Sequence, residues 1–513
     1  MRDGFRKNVV TVGGLTAVSR ILGFIRDMIM AWLLGAGLLA DAFVVANRIP
    51  NLLRRFMAEG AVSVAFVPVF SEVKEREGIE RAYLMAQQIM TLMFYSLVVV
   101  VIIGEIASPA LVAVMAPGFL HSGVFDITVH LTRIMFPYIL LIGVAVLFMG
   151  ILNSLGHFAA PAAAPILMNL FMIGVPLLCY VAYPLFSSPA DALAWGVITG
   201  GIAQILIQMP ALLKRRVPLG FTSNFNSPRV RQVIRLLGVA AIGASIYQIN
   251  VLIGTLLASL LPQGSVSYLY YSNRILELPL GIFAFAVGNV MLPAMSSASA
   301  RLDTERFSFL MGRGLLAVLL FTIPATVGSL VLARPIFAVL FLRGAFTYSD
   351  ALASAYALQM YGLSLWAVGY TRIQTQALYA MQKAKAVVNI SWMSLVVNLV
   401  FCLILMPFMK HAGIALASSI SVFAQVLIQH KYLTGAGIHI PKEHLRQFGK
   451  MFAAAVIMGI VLVPFARMNI WNAGMNLKSC LLLFSSIVLG GGMYFGSLWV
   501  MGMRGFPDRQ KTV

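Results

Sequence analysis

The chain of 513 residues is 60% hydrophobic and only 11% charged, with a mean hydropathy of +0.90. An ordinary soluble domain has about a quarter of its residues charged, so a water-soluble enzyme of this length is excluded. The net charge of +20 does not mark a nucleic-acid binder, because most of the 37 Lys and Arg fall in short connections between apolar runs, as orientation in a membrane requires.

Apolar stretches long enough to cross a bilayer core of about 30 Å recur from end to end. No water reaches that depth, so only helices or a closed barrel can span it. The runs are long and rich in Leu, Ala, Val and Met rather than ten-residue alternations, which disfavours a barrel. The expected fold is therefore an all-α polytopic membrane protein. Arg2, Arg6 and Lys7 before the first apolar run mimic a signal peptide, but that run contains Arg20 and Arg26 and continues without a small-residue cleavage site. It is read as a retained first helix.

In chain order, about 14 transmembrane helices are predicted, at 8–35, 40–70, 85–115, 128–154, 159–183, 190–213, 230–260, 265–297, 307–340, 350–381, 385–407, 412–434, 447–468 and 477–502. An even count puts both termini on one side. With that side cytoplasmic, the termini and inner connections hold 24 basic residues. The opposite face holds six: Arg133, Arg334, Arg343, Lys410, Arg467 and Lys478. The remaining seven lie inside spans. A bias of 24 to six is a positive-inside pattern.

The longest polar stretch, 214–229, divides the chain near its middle, and the halves share spaced matches. Asn47-Arg48-Ile49 corresponds to Asn273-Arg274-Ile275 at an offset of 226, Pro68 and Ser71 to Pro293 and Ser296 at 225, and Asn169-Leu170 to Asn398-Leu399 at 229. The repeat predicts an N-terminal lobe of helices 1–6 (1–213), a cytoplasmic linker (214–229) and a C-terminal lobe of helices 7–12 (230–434). Two such bundles related by an axis along the membrane normal make a transporter architecture with the site between them. Helices 13 and 14 (447–502) fall outside the repeat.

A charged side chain inside a span costs about 2.5–3.5 kcal/mol on insertion scales and faces an interior or a watery cavity. Here the charges concentrate at the N-terminus. Helix 1 carries Arg20, Arg26 and Asp27, and helix 2 carries Asp41, Arg48, Arg54, Arg55 and Glu59. Later spans add only Glu105, Arg274, Glu277 and Arg372. Pairing within the set (Arg26 with Asp27, or Arg55 with Glu59 at i,i+4) and snorkelling to an interface account for single residues. They do not remove the excess of seven arginines over five carboxylates. All seven cations are arginine, whose planar fork contacts phosphate bidentately and does not deprotonate. The pattern calls for an anionic, phosphate-bearing ligand in a membrane cavity.

Other residue types carry less. Cys179, Cys402 and Cys480 stand far apart in apolar segments, and no His pair has metal spacing. No P-loop and no Ser/His/acid set is present. The expectation is a transporter, not an enzyme, with no metal and no cofactor.

The strings SRILGFIRD (19–27) and GAGLLADAFVVANRIPNLLRRFMAEGAVSVAFVPVFSE (35–72) closely resemble the MurJ/MviN family of lipid II flippases. FPYILL (136–141), SVSYLYYSNRILELP (265–279) and Arg343-Gly344-Ala345-Phe346 add to the match. That family belongs to the multidrug/oligosaccharidyl-lipid/polysaccharide exporter superfamily. The resemblance implies two six-helix lobes around a central cavity, with two extra C-terminal helices forming a groove for a lipid tail. It assigns substrate-binding roles to Arg20, Arg26, Arg54, Arg274 and Arg372 and supporting acidic roles to Asp27, Asp41 and Glu59. One departure is Asn273, where some relatives carry Asp.

The implied function is translocation of lipid II, an undecaprenyl-diphosphate-linked disaccharide-pentapeptide, from the inner to the outer leaflet of the bacterial plasma (inner) membrane. Alternating access would carry it, with the arginines on the diphosphate. Lipid II and membrane lipids are the implied partners, with cell-wall synthesis proteins as further candidates. The alternatives are an exporter of another polyprenyl-diphosphate-linked glycan, which would satisfy the arginines equally, and a non-transporting scaffold of cell-wall assembly.

Overall fold

A computed structural model describes residues 2–56, 65–182, 186–223, 227–281 and 285–503. Among these the regular structure is helical throughout. The described residues include nine helical spans long and apolar enough to cross a membrane. The described residues of the other predicted spans are also mostly helical, and those spans hold all seven intramembrane arginines. By their contacts the residues divide into two units, Met1–Gln263 and Gly264–Val513.

The first unit contains α1 (Arg2–Leu34), α2 (Leu38–Phe56), α3 (Val67–Glu77), α4 (Ile79–Met115), α5 (Val124–Met135), α6 (Tyr138–Ser154), α7 (Ala159–Ala182), α8 (Pro189–Leu206), α9 (Met209–Lys214) and α10 (Pro228–Ser259). The predicted span 128–154 is two helices, α5 and α6, meeting at Phe136-Pro137, because proline has no N–H with which to continue the ladder. α1 packs on α7, which runs beside α8, and α2 packs on α5. Few hydrophobic gains drive helices together in lipid, so small residues that allow close approach matter. A Cβ on Gly196 of α8 would stand 3.0 Å from the Met172 Cα of α7.

α10, predicted to open the second lobe, is grouped with the first unit, and polar contacts fasten it there at three heights. At its N-terminus, Arg229 pairs with Glu77 at 2.8 Å and Glu72 at 3.4 Å, both on α3. Midway, Arg48 of α2 donates to Thr255 Oγ1 and to the Val251 carbonyl. At its far end, Ser259 Oγ accepts from the Gly118 amide at 3.2 Å. The preceding connection is also held: the Tyr83 hydroxyl donates to the Arg215 carbonyl at 3.0 Å, and Ser227 Oγ donates to Gln88 Oε1 at 2.9 Å.

The second unit contains α11 (Ser265–Pro279), α12 (Phe285–Ala300), α13 (Thr304–Val331), α14 (Ala333–Leu340), α15 (Tyr348–Gly362), α16 (Leu365–Ala380), α17 (Ala384–Met409), α18 (His411–Gly435), α19 (Lys442–Ala466) and α20 (Leu477–Val500). α13 is its axis, packed by α12, α15, α16 and α19. The predicted span 350–381 breaks into α15 and α16 at Leu363-Ser364. There Ser364 Oγ bonds the Tyr361 carbonyl at 3.0 Å, a local bond of the kind that competes with the helical ladder. α19 and α20, which lie outside the sequence repeat, share the core of this unit. Met451, Met458, Leu462, Tyr494 and Leu498 are buried in one cluster with Met311, Leu315 and Leu319 of α13. Gly490 of α20 lets Leu462 come within 3.0 Å of where a Cβ would stand.

Large apolar side chains remain exposed along α4 (Val99, Ile102, Ile103, Ile106) and α20 (Leu481, Phe484, Val488). A soluble protein rarely exposes patches of that size, and lipid is the environment that satisfies them. The protein is a multi-pass helical membrane protein.

Candidate substrate-binding site

In α1, Ser19, Gly23, Arg26 and Asp27 follow one another at helical spacing, so they meet α7 on one face. Arg26 uses its whole fork. Nε and Nη2 donate to Asp27 Oδ1 at 3.1 and 2.8 Å, and Nη1 donates to Asn169 Oδ1 at 3.0 Å. The same Nη1 stands 3.8 Å from Met172 Sδ. Asn169 in turn donates through Nδ2 to the Ser19 carbonyl at 2.9 Å, so its amide orientation is set by a cation on one side and a carbonyl on the other. Asp27 is buried, 3% of its side chain being exposed, whereas the Arg26 side chain retains 18%. The pair predicted as internal neutralisation therefore exists, and it holds the guanidinium at the edge of open space.

That space is a cavity of ≈ 340 Å³ within the first unit, lined by Arg26, Asn47, Asn51, Tyr138, Asn169, Gln204 and Gln208 over walls that include Ile142, Met149, Pro165 and Met168. Its amides are ordered. Asn51 Nδ2 donates to the Asn47 carbonyl at 2.8 Å, and Gln208 Nε2 donates to the Ala145 and Gln204 carbonyls at 3.1 and 2.9 Å. Gln208 Oε1 is buried with no hydrogen-bond partner among the described residues, leaving an acceptor for a donor on a ligand. One guanidinium set among neutral amides suits a ligand with one anionic group and many hydroxyl or amide groups. Sequence reasoning missed the amides. The signal was available as Asn47/Asn51 and Gln204/Gln208, each pair spaced i,i+4 inside a span.

The other predicted residues are less concentrated. Asp41 is buried in the first turn of α2, where the helix dipole favours a carboxylate. Arg20 lies exposed on α1 and does not line the cavity. The backbone of Arg54 continues α2, but its side chain lies outside the described residues, and so does Glu59 altogether. In the second unit, Arg274 Nη1 pairs with Glu277 Oε2 at 2.6 Å, and its guanidinium carbon sits 4.8 Å from the Tyr270 ring centre. Asn273, the departure from the family pattern, donates to Glu277 Oε1 at 3.2 Å, so it joins this cluster as a neutral member. Arg372 on α16 runs along α12. Its Cγ lies 3.6 Å from where a Cβ on Gly288 would stand, an ordinary van der Waals approach. The matched asparagines of the repeat act differently: Asn169 ties α7 to α1, whereas Asn398 on α17 donates to Ser418 Oγ of α18 at 3.1 Å.

Residues 30–481 match the family model for the lipid II flippase MurJ. The chain belongs to that family. It is 34% identical over 505 residues to the lipid II flippase MurJ of Burkholderia cenocepacia, covering 97% of each chain. MurJ proteins are transporters rather than enzymes, which agrees with a cavity built from binding groups. Among solved structures, a lipid II flippase MurJ in an inward closed conformation superimposes with a TM-score of 0.80 at 24% identity, covering 96% of this chain and 98% of that one. An inward-facing multidrug resistance MATE family transporter of the MOP superfamily follows the same fold, with a TM-score of 0.68 at 12% identity over 83% of this chain and 98% of its own.

Proposed function

We propose that the protein flips lipid II across the bacterial plasma membrane, with both termini in the cytoplasm and the cavity beside Arg26 as part of the carrier of its head. The observation that supports this most directly is Arg26, braced by Asp27 and Asn169 while its side chain lines the amide-rich cavity. A diphosphate is the anion that a planar, permanently charged fork recognises best. The neutral amides of Asn47, Asn51, Gln204 and Gln208 suit the sugars and the peptide.

In this reading Arg20, Arg54, Arg274 and Arg372 also take part in binding the anion, and Asp27, Asp41 and Glu59 keep the arginines soluble in the membrane interior. Rocking of the lobes then moves the head outward, while the polyprenyl tail stays in lipid beside α19 and α20. A membrane potential, negative inside, favours outward movement of the anion by about 2.3 kcal/mol per charge per 100 mV.

Depletion of the protein in growing cells tests the substrate. Lipid II should accumulate on the inner leaflet within a generation. Accumulation of a different lipid-linked glycan, with lipid II still reaching the outer leaflet, would replace the substrate while keeping the anion site.

A further inference from the structure

The Arg343-Gly344-Ala345-Phe346 step has no part in the cavity, and it is built with more care than a surface turn needs. Phe346 is fully buried and its ring meets those of Tyr271, Phe337 and Phe341 at 5.5, 6.4 and 5.8 Å. Gly344 takes φ +59°, a left-handed conformation that favours glycine. The loop is pinned at both features, which fixes where Arg343 emerges.

Arg343 emerges against the start of α20. Its Nη1 reaches Met475 Sδ at 2.8 Å and its Nη2 donates to the Leu340 carbonyl at 3.0 Å. A thioether is a weak acceptor, and among the described residues no carboxylate pairs with this guanidinium. Burial pulls its pKa below the ordinary guanidinium value, with Cys480 on the next turn of α20 opposing. Lys478 lies in that same first turn, at the positive end of a 24-residue helix. Arg334 comes to the same connecting segment, donating to Asn472 Oδ1 at 2.5 Å, with its Nε buried and lacking an acceptor among the described residues. Cationic donors without counter-charge are costly to hold in place, and on the side opposite the basic loops they also run against membrane orientation.

From this point an apolar stripe descends α20. Leu477, Leu481, Phe484 and Val488 are all exposed, and their i, i+4, i+7, i+11 spacing puts them on one face. A group of cations at the head of an exposed apolar stripe matches an amphiphile whose phosphate lies at the membrane surface and whose chain lies along the helix.

We propose that Arg343 and Lys478, flanked by Arg334, form a binding site for the phosphate of a lipid headgroup at the end of α20. The proposal takes only its membrane face from the orientation argued above; it does not depend on the cavity.

The test uses the full-length protein in neutral detergent, with dioctanoyl phosphatidic acid as the probe and thermal-shift titration as the readout. Dioctanoylglycerol and inorganic phosphate are the comparators. Phosphatidic acid is expected to raise Tm where dioctanoylglycerol does not. Arg343→Gln should weaken it about tenfold and Lys478→Gln about threefold, the loss expected for charge-assisted hydrogen bonds. Lys478 is exposed, so its variant folds normally and keeps the result readable if Arg343→Gln lowers stability. Neither Arg343 nor Lys478 lines the cavity, so a loss of affinity in their variants separates this site from it. Equal binding by wild type and both α20-site variants would overturn the proposal. Inorganic phosphate binding as tightly as phosphatidic acid would overturn the assignment to a lipid.

Discussion

Arg26 and Asn169, 143 residues apart, are joined by a hydrogen bond of 3.0 Å from Nη1 to Oδ1, and the same asparagine returns a bond to the Ser19 carbonyl of the arginine's own helix. The arginine is thus held between an intrahelical carboxylate and an interhelical amide. Each partner makes a separate contribution to stability.

Asn169→Leu removes an acceptor from a cation and leaves the Ser19 carbonyl without its donor. A hydrogen bond to a charged group contributes about 1.5–3 kcal/mol, so a loss of about 2 kcal/mol is expected, read as a lower Tm in detergent. Asp27→Asn should cost more, about 3 kcal/mol, because it leaves the half-enclosed Arg26 without its counter-charge. If Asn169→Leu proves the more damaging, the bracing has been assigned the wrong way round.

Arg48 differs from Arg26 in not lining the cavity; its Nη1 donates to the Thr255 hydroxyl and the Val251 carbonyl of α10. Arg48→Ala should therefore reduce the amount of folded protein, with translocation falling in proportion to it. Thr255→Val should reproduce part of that loss by removing the acceptor alone. Translocation lost at full folded yield would instead make Arg48 a substrate ligand.

Gly118 approaches the backbone of Ser259 so closely that a Cβ would overlap its carbonyl. Backbone cannot move aside as a side-chain tip can, so Gly118→Ala should destabilise by about 1–3 kcal/mol. Gly13 and Gly14 have open space around them, and alanine there should be neutral or slightly stabilising through helix propensity. Thermal unfolding of the three variants side by side tests the contrast.

His157, in the connection between α6 and α7, has its pKa lowered by burial and secondarily by the Arg215 charge. A depressed histidine pKa means that the unfolded chain binds more protons in the window below the ordinary value of 6.5. The stability linked to it is complete above that window and declines as pH falls through it. The drop in Tm between pH 7.5 and 5.5 should shrink in His157→Gln. An unchanged drop would assign the acid sensitivity elsewhere.

The long apolar runs and the arginine-rich helices 1 and 2 were legible because membrane cost makes each charge conspicuous. The Arg26–Asp27 pair was legible for the same reason. The breaks at Phe136-Pro137 and Leu363-Ser364 were not, because a proline or serine within an apolar run is common and only the local bonding decides whether the ladder stops. The amides at Asn47, Asn51, Gln204 and Gln208 escaped notice because neutral polar groups cost little individually. Their convergence depends on how α2, α6, α7 and α8 pack. The different uses of Arg48 and Arg26 could not be read from composition at all, since both are intramembrane arginines on neighbouring helices.

The central claim is that Arg26 carries anion recognition. Removing it alone would orphan the buried Asp27, so the decisive variant is Arg26→Gln combined with Asp27→Asn, which keeps the shape and deletes both charges. In cells relying on this variant, lipid II exposed on the outer leaflet is measured against the membrane level of the protein. The account predicts normal protein levels with lipid II retained on the inner leaflet. Outer-leaflet lipid II at the wild-type level, from protein at the wild-type level, would contradict it.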